Sequence, residues 1–279
     1  MSRGDRLHRF LSSGGIMAIL VAYTVYSTAP FVWVSTMSVR TTTEISADHY
    51  AWPSPFHWEQ FHEAWVESNF STYFVNSLLV VVVSVAVLTI AGSAAAHCLA
   101  RYCFRGNRLI YGILFSSIIF PPQVVLISIY QVLVEYGLYN SRIGLMLVYI
   151  SLQLPLTVYL LEAFFARIPQ DLFDAAKMDG YGDAEIFLRL VLPVGLPAIA
   201  TTVILNFILL WNEFLFAVVL ITDDELRTLP VGIQKFMGDH FQDIGLIATG
   251  VMISVIPVIL VYAFFSEKLI QGMTAGAVK

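Results

Sequence analysis

The sequence predicts an all-α polytopic membrane protein with six transmembrane helices, and three observations carry that prediction. The 279 residues are 58% hydrophobic and only 13% charged, against about 45–50% and about 25% in ordinary soluble domains. Long stretches free of Asp, Glu, Lys and Arg recur along the chain, each with an apolar block near spanning length. A helix needs about 20 such residues to cross roughly 30 Å of hydrocarbon. The Lys and Arg residues between these blocks fall mostly in alternate loops. So large an apolar excess excludes disorder, collagen, coiled coil and a disulfide mini-scaffold. A net charge of −5 with scattered basic groups argues against a nucleic-acid partner. Cys98 and Cys103 make no disulfide framework and read as two reduced thiols.

The first span is placed at 15–36, after a tail over 1–14 that carries Arg3, Arg6 and Arg9. Its charged start resembles a signal peptide. Its apolar core is too long for one, and no small-x-small site closes it, so it reads as a retained anchor. A loop over 37–72 follows, with Glu44, Asp48, Glu59, Glu63 and Glu67. The second span, 73–97, contains the run LLVVVVSVAVL at 78–88, apolar on all sides. That fits a helix in lipid and not a barrel strand of about 10 alternating residues. The third span is 109–134 with Pro121 and Pro122, and the fourth is 143–165 with Pro155. The fifth is 194–221, and the sixth is 245–266 with Pro257. Within a bundle neighbours re-satisfy the freed carbonyls, so these prolines are expected as kinks.

Orientation follows from the basic residues. Eleven lie in the N-terminal tail, in the loops after spans two and four, and beyond span six; Arg40, Arg142, Arg227 and Lys235 lie on the other side. Both termini are therefore expected in the cytoplasm. The opposite loops are acidic, with Asp223, Asp224, Glu225, Asp239 and Asp243 after span five. A core transmembrane domain over 73–270 and a short tail over 271–279 complete the expected organisation.

The loop at 166–193 is too apolar for a solvated linker and too charged for a span. Pro169 suits the first turn of a short helix, where its missing N–H costs nothing. Asp171 and Asp174 sit near that helix's positive end. Gly180 is placed to stop it in a left-handed conformation. Asp183 is expected to cap a second helix carrying Ile186, Phe187 and Leu190. Pro193 and Pro197 then lead into span five. An interfacial helix lying in lipid headgroups would carry more Lys and Arg than Lys177 alone. A protein partner is the better cover for the apolar face of Leu172, Phe173 and Ala176. Small Ala175 and Ala176 would let that partner approach the backbone.

These residues resemble a family. Asp174-Ala175-Ala176, Asp179-Gly180, Leu190 and Leu192-Pro193 are similar to the "EAA" loop of ABC importer permeases. Its pattern is Glu-Ala-Ala, three residues, Gly, nine residues, Ile, one residue, Leu-Pro. The spacing is kept throughout, with Asp174 for Glu and Leu190 for Ile. The lead-in over 164–169, Trp211-Asn212-Glu213-Phe214, and the run over 272–279 resemble the carbohydrate-importing, maltose-type branch. The resemblance implies a type I ABC importer permease fold in a prokaryotic cytoplasmic membrane. It implies a second permease, two ATPase subunits that hold ATP and Mg, and an extracytoplasmic solute-binding protein. No cofactor is then bound by this chain, and its loop is a coupling helix docked on the ATPase. Asp174, Ala175, Ala176, Asp179, Gly180, Leu190 and Pro193 are the coupling residues so implied.

Glu213 is an ionisable group within a span and should face the bundle or a wet cavity. It either lines the translocation route, with Asn206, Trp211 and Asn212, or hydrogen-bonds a neighbouring helix together with Asn212 or Asn206. Trp211 stacks on a sugar or packs against lipid or protein. Gly180-Tyr181-Gly182-Asp183 matches an intramembrane aspartyl protease signature, but that chemistry needs two Asp on facing spans. No HExxH, GxSxG or Walker-A run is present, so no zinc, serine-hydrolase or ATP site is encoded. His8, His49, His57, His62, His97 and His240 lack metal-ligand pairing and read as ordinary polar residues. A gradient-driven secondary transporter using Glu213 or Glu162 as a proton relay is the alternative, although its usual inverted repeats are not evident. An importer permease for a solute other than a sugar is a second one.

Overall fold

The computed structural model describes residues 3–237 and 243–277, with side chains over 14–237 and 243–264. It is built from helices: α1 Arg3–Met37, α2 Thr42–Ala47, α3 Glu59–His62, α4 Phe70–Arg101, α5 Asn107–Ile119, α6 Leu126–Glu135 and α7 Arg142–Phe165. They continue as α8 Gln170–Met178, α9 Asp183–Ile186, α10 Leu192–Trp211, α11 Leu215–Leu220, α12 Leu229–Gln234 and α13 Ile244–Ala277. Among the described residues five helical stretches are long and apolar enough to cross a membrane, and the bent pair α5 and α6 makes a sixth when the pair is counted as one span. The chain forms two compact units, one of residues 1–70 and 233–253, the other of 71–232 and 254–279.

In the first unit, α1 is exposed along its apolar length over 14–33. Its hydroxyls are satisfied internally, as lipid requires: Thr24, Thr28 and Ser35 donate to the carbonyls of Leu20, Thr24 and Phe31 at 2.7–2.8 Å. At its end Met37 packs with Ile45 and Ala248 in a small core. The turn after it closes around Arg40, whose Nη2 donates to the carbonyls of Glu44 (2.8 Å) and Asp48 (2.6 Å) at the end of α2. Thr41 and Glu44 form a reciprocal capping box at the start of α2.

His57 lies between two carboxylates, with Nδ1 2.6 Å from Glu59 and Nε2 3.1 Å from Glu44. Glu59, then Glu44, raise its pKa above the ordinary 6.5. Glu44 is lowered first by its bond from the Thr41 backbone and then by His57. Glu59 is lowered first by its own backbone N–H and then by His57. The sign of the linkage follows. The stabilisation from His57 is full below about 6.5 and is lost as pH rises through the higher folded value. That from the carboxylates is present above about 4.3 and is lost as pH falls through their lowered values. Hydrogen exchange of segment 41–60 should therefore speed up as pH rises through the raised pKa of His57, beyond the intrinsic trend, and His57→Gln should remove that excess. An unchanged excess in His57→Gln would contradict the assignment.

In the second unit the helices meet where side chains are small, the usual packing of helices in lipid. A Cβ on Gly92 of α4 would lie 2.5 Å from Thr157 Cγ2 of α7, and one on Gly195 of α10 would lie 2.5 Å from the Phe165 ring of α7. Asn206 of α10 donates to the Thr157 hydroxyl at 2.8 Å, closing a buried polar contact between the same helices. At one end of α4, Asn76 Nδ2 donates to the carbonyls of Glu225 (2.8 Å) and Arg227 (2.9 Å), and Tyr73 donates to Asp224 at 3.0 Å.

Two expected spans are not single straight helices. The segment 109–134 is instead α5 and α6, joined by a 3-10 turn over Pro122–Val125 and bent by 96°. Tandem prolines cause this. Each disfavours the helical conformation in the residue before it, and Phe120 (ψ 129°) and Pro121 (ψ 125°) are both extended. The expected span 194–221 begins earlier and stops earlier. α9 runs through a π turn over Phe187–Val191 into α10, and the helix breaks at Asn212 before α11 resumes at Leu215. Pro193 offers no N–H to the Arg189 carbonyl, and the wider turn falls at that point. Finally, α13 stays helical through 271–277, beyond the expected span 245–266; Val278 and Lys279 lie outside the described residues.

Candidate functional site

The loop between α7 and α10 holds the candidate site, and its centre is α8. Pro169 (φ −57°, ψ 139°) is the residue before this helix and not its first turn. Its extended ψ turns the chain into the helix. Asp171 lies in the first turn, and Asp174 accepts from Gln170 Nε2 at 3.0 Å. The far end is closed by a Schellman motif. Gly180 N–H donates to Lys177 O and Tyr181 N–H to Ala176 O, both at 3.0 Å. Gly180 takes φ +84°, the left-handed conformation expected of it. The second helix starts differently from expectation. Gly182 is its cap, its N–H donating to the Glu185 carboxylate at 3.3 Å, and Asp183 is the first helical residue.

The two faces of α8 differ from the sequence reading. Phe173 and Ala176 point inward, packed with Ala96, Val158, Leu161, Phe165, Ile168, Ile186 and Val191. The chain's own bundle therefore covers them, and Ala176 offers no outward approach. Leu172 (42% exposed), Asp174, Ala175, Met178 (87%) and Asp179 face outward. Leu172, Ala175 and Met178 recur at a spacing of three, which makes one apolar stripe on the open side. Leu190 packs against the inner cluster, while Pro193 is exposed.

The four candidate pathway residues have different surroundings. Asn206 is buried on Thr157. Trp211 is 2% exposed; its Nε1 donates to Ser254 O at 2.9 Å, and its ring stacks on Phe207 and meets Phe74 edge-on. In this conformation both its ring and its N–H are taken up by neighbouring side chains and backbone. Asn212 donates to Ile208 O one turn back. Glu213 accepts from the Tyr149 hydroxyl at 2.7 Å and from the backbone N–H groups of Phe216 (2.8 Å) and Ala217 (3.1 Å). Its partners are thus Tyr149 of α7 and the first turn of α11, and Asn206 reaches the same helix α7 through Thr157.

Two residues beneath α8 were passed over in the sequence. Arg101 ends α4 and reaches the carbonyls of Phe165 (2.8 Å) and Ile168, with its guanidinium 4.0 Å from the Phe173 ring centroid. His97, one turn earlier, is 5% exposed and lies nearly parallel to Phe173, at 6.4 Å and 10°. Their i, i+4 spacing was a legible signal that they share a face, but nothing local said which face. Among the described residues no group of His, Cys, Asp or Glu is placed to hold a metal ion. The side chains of His8, Lys268 and Lys279, and all of Asp239 and His240, lie outside the described residues.

The described residues thus form apolar helices of membrane-spanning length with an amphipathic helix packed beneath one loop. The family model for the binding-protein-dependent transport system inner membrane component matches residues 88–274, and the chain belongs to that family. It is thus a multi-pass inner-membrane transport subunit. It is 34% identical to the diacetylchitobiose uptake system permease protein NgcG of Streptomyces coelicolor, over 93% of this chain and 86% of that protein. It is 32% identical to the trehalose transport system permease protein SugB of Mycobacterium tuberculosis, over 91% of this chain and 93% of that protein. Its fold resembles a chain of a bacterial ABC transporter involved in importing the acidic polysaccharide alginate. That match has a TM-score of 0.82 at 21% identity, over 96% of this chain and 99% of that one.

Proposed function

We propose that this chain is a permease subunit of an ATP-driven importer for a sugar or sugar derivative, with α8 as its coupling helix. The observation that carries the reading is the division of α8. Its inner face is consumed by the chain's own core, while Leu172, Ala175 and Met178, with Asp174 and Asp179, form a separate face left open. A Gly-terminated helix so anchored is a rigid knob for a groove on a partner. The partners are a second permease, two cytoplasmic ATPase subunits that hold ATP and Mg, and an extracytoplasmic solute-binding protein. Hydrolysis belongs to the ATPase, since this sequence has no Walker-A run. Both termini and the coupling loop, 166–193, face the cytoplasm, where the basic residues concentrate. Ala176 and Leu190 act from beneath as packing residues, while Gly180 shapes the end of the knob and Pro193 the start of the following helix. The sugar class rests on the diacetylchitobiose and trehalose uptake named for the relatives.

The test is purification of the tagged chain in mild detergent with whatever accompanies it, followed by reconstitution into vesicles with its binding protein. Uptake of labelled trehalose or diacetylchitobiose is expected to need ATP and the co-purified ATPase, and to survive collapse of the proton gradient. A chain that purifies without an ATPase and takes up solute on a proton gradient would overturn the reading.

A further inference from the structure

We infer that Arg101 is a positioning residue that ties the coupling helix α8 to the long membrane helix α4, so that a displacement of α8 is passed to α4. The inference rests on the importer reading above. Three contacts carry it. The Arg101 guanidinium donates to the carbonyls of Phe165 and Ile168, at the end of α7 and the turn that leads into α8. The Phe165 carbonyl, the last of α7, also accepts from the Ile168 N–H at 3.3 Å, and a cation there meets the negative end of the α7 dipole. The same guanidinium lies over the Phe173 ring, 4.0 Å from its centroid, and Phe173 is the buried anchor of α8. One turn back along α4, the His97 ring faces the same phenylalanine and also lies 5.3 Å from the Phe187 ring in the segment after α8.

The chemistry is unusual for a packing role alone. Arg101 has no carboxylate within ion-pairing distance among the described residues, and its buried Nε lacks a hydrogen-bond partner. Arg101 is half-buried, and partly desolvating a cation for main-chain carbonyls and an aromatic face has a cost that an aliphatic side chain would not carry. What the guanidinium adds is geometry. Its fork fixes the α7–α8 turn while its plane fixes Phe173, a pairing that a Lys point charge does not reproduce. α8 is therefore held to the last turn of α4 by directional contacts as well as by apolar packing, which by itself permits sliding.

Hydrogen–deuterium exchange on the full complex, with and without a non-hydrolysable ATP analogue, tests this. In the wild type, peptides covering α8 and those covering 93–104 should both change protection with nucleotide. In Arg101→Met the response at 93–104 is expected to be lost while that of α8 remains. Phe173→Leu keeps the position apolar but removes the ring and should give the same loss, and Arg101→Lys should restore it only in part. A purely structural role would lower protection equally with and without nucleotide. A nucleotide response at 93–104 retained in Arg101→Met, or in Phe173→Leu should Arg101→Met not assemble, would overturn the inference. Absence of any response at α8 in the wild type would instead overturn the importer reading on which it rests.

Discussion

Replacing Gly180 with Val should uncouple ATP hydrolysis from transport, whereas Gly180→Asn should stay close to wild type. The difference is conformational and not steric, because no atom lies within 4 Å of where a Cβ would stand. At φ +84° a residue with a Cβ pays about 1–2 kcal/mol, and a β-branched one pays the most. Asn tolerates the left-handed region by bonding its own backbone. A penalty of about 1–2 kcal/mol shifts a local equilibrium roughly 5–30-fold. The shift falls on the two Schellman bonds from Gly180 and Tyr181, which fix Met178 and Asp179 at the tip of the outward face. Membrane insertion should be unaffected, since the site is exposed and lies outside the spans. ATP hydrolysed per solute imported is the readout. Equal ratios in Gly180→Val and wild type would remove the end of α8 from the coupling surface.

Glu213→Ala should destabilise the protein without changing its affinity for solute. One carboxylate serves three donors, the buried Tyr149 hydroxyl and two N–H groups in the first turn of α11. Truncation leaves the hydroxyl of a residue 1% exposed without its acceptor, at about 1–3 kcal/mol. Loss of the α11 cap adds about 0.5–2 kcal/mol. Glu213→Gln keeps one carbonyl oxygen as acceptor and should fall between. Thermal unfolding in detergent reads this directly. A wild-type melting temperature in Glu213→Ala, together with weakened solute binding, would return Glu213 to the translocation route.

What was legible in the sequence was whatever depended on composition or on one residue's backbone. Apolar runs of spanning length placed the helices, and Gly180 announced a left-handed stop because few other residues accept that conformation. What was illegible depended on three-dimensional neighbours. Ala175 and Ala176 are adjacent small residues with the same local signature, yet only the packing of α8 on Phe165 and Val191 turns Ala176 inward. Pro121 and Pro122 indicated a kink, but its 96° size depends on two successive residues leaving the helical region. Glu213 was legible as a residue that must find partners. Which partners it found depended on Tyr149, distant in sequence, and on a helix break at Asn212 that no apolar run reveals. His97 and Arg101 looked like an ordinary polar residue and a loop cation, because Phe173, which gives them their place, lies on another helix.

The most direct test of the coupling surface is site-directed crosslinking in native membranes. Cys98 and Cys103 are replaced by Ser, and single cysteines are placed at Leu172, Ala175 and Met178, with Leu20 on the exposed face of α1 as control. A short thiol crosslinker should join each of the three α8 positions to the co-purifying ATPase subunit and leave Leu20→Cys unlinked to it. Failure of all three to reach an ATPase, together with their modification by a membrane-impermeant reagent added outside the cell, would contradict both the coupling role of α8 and the orientation on which it depends.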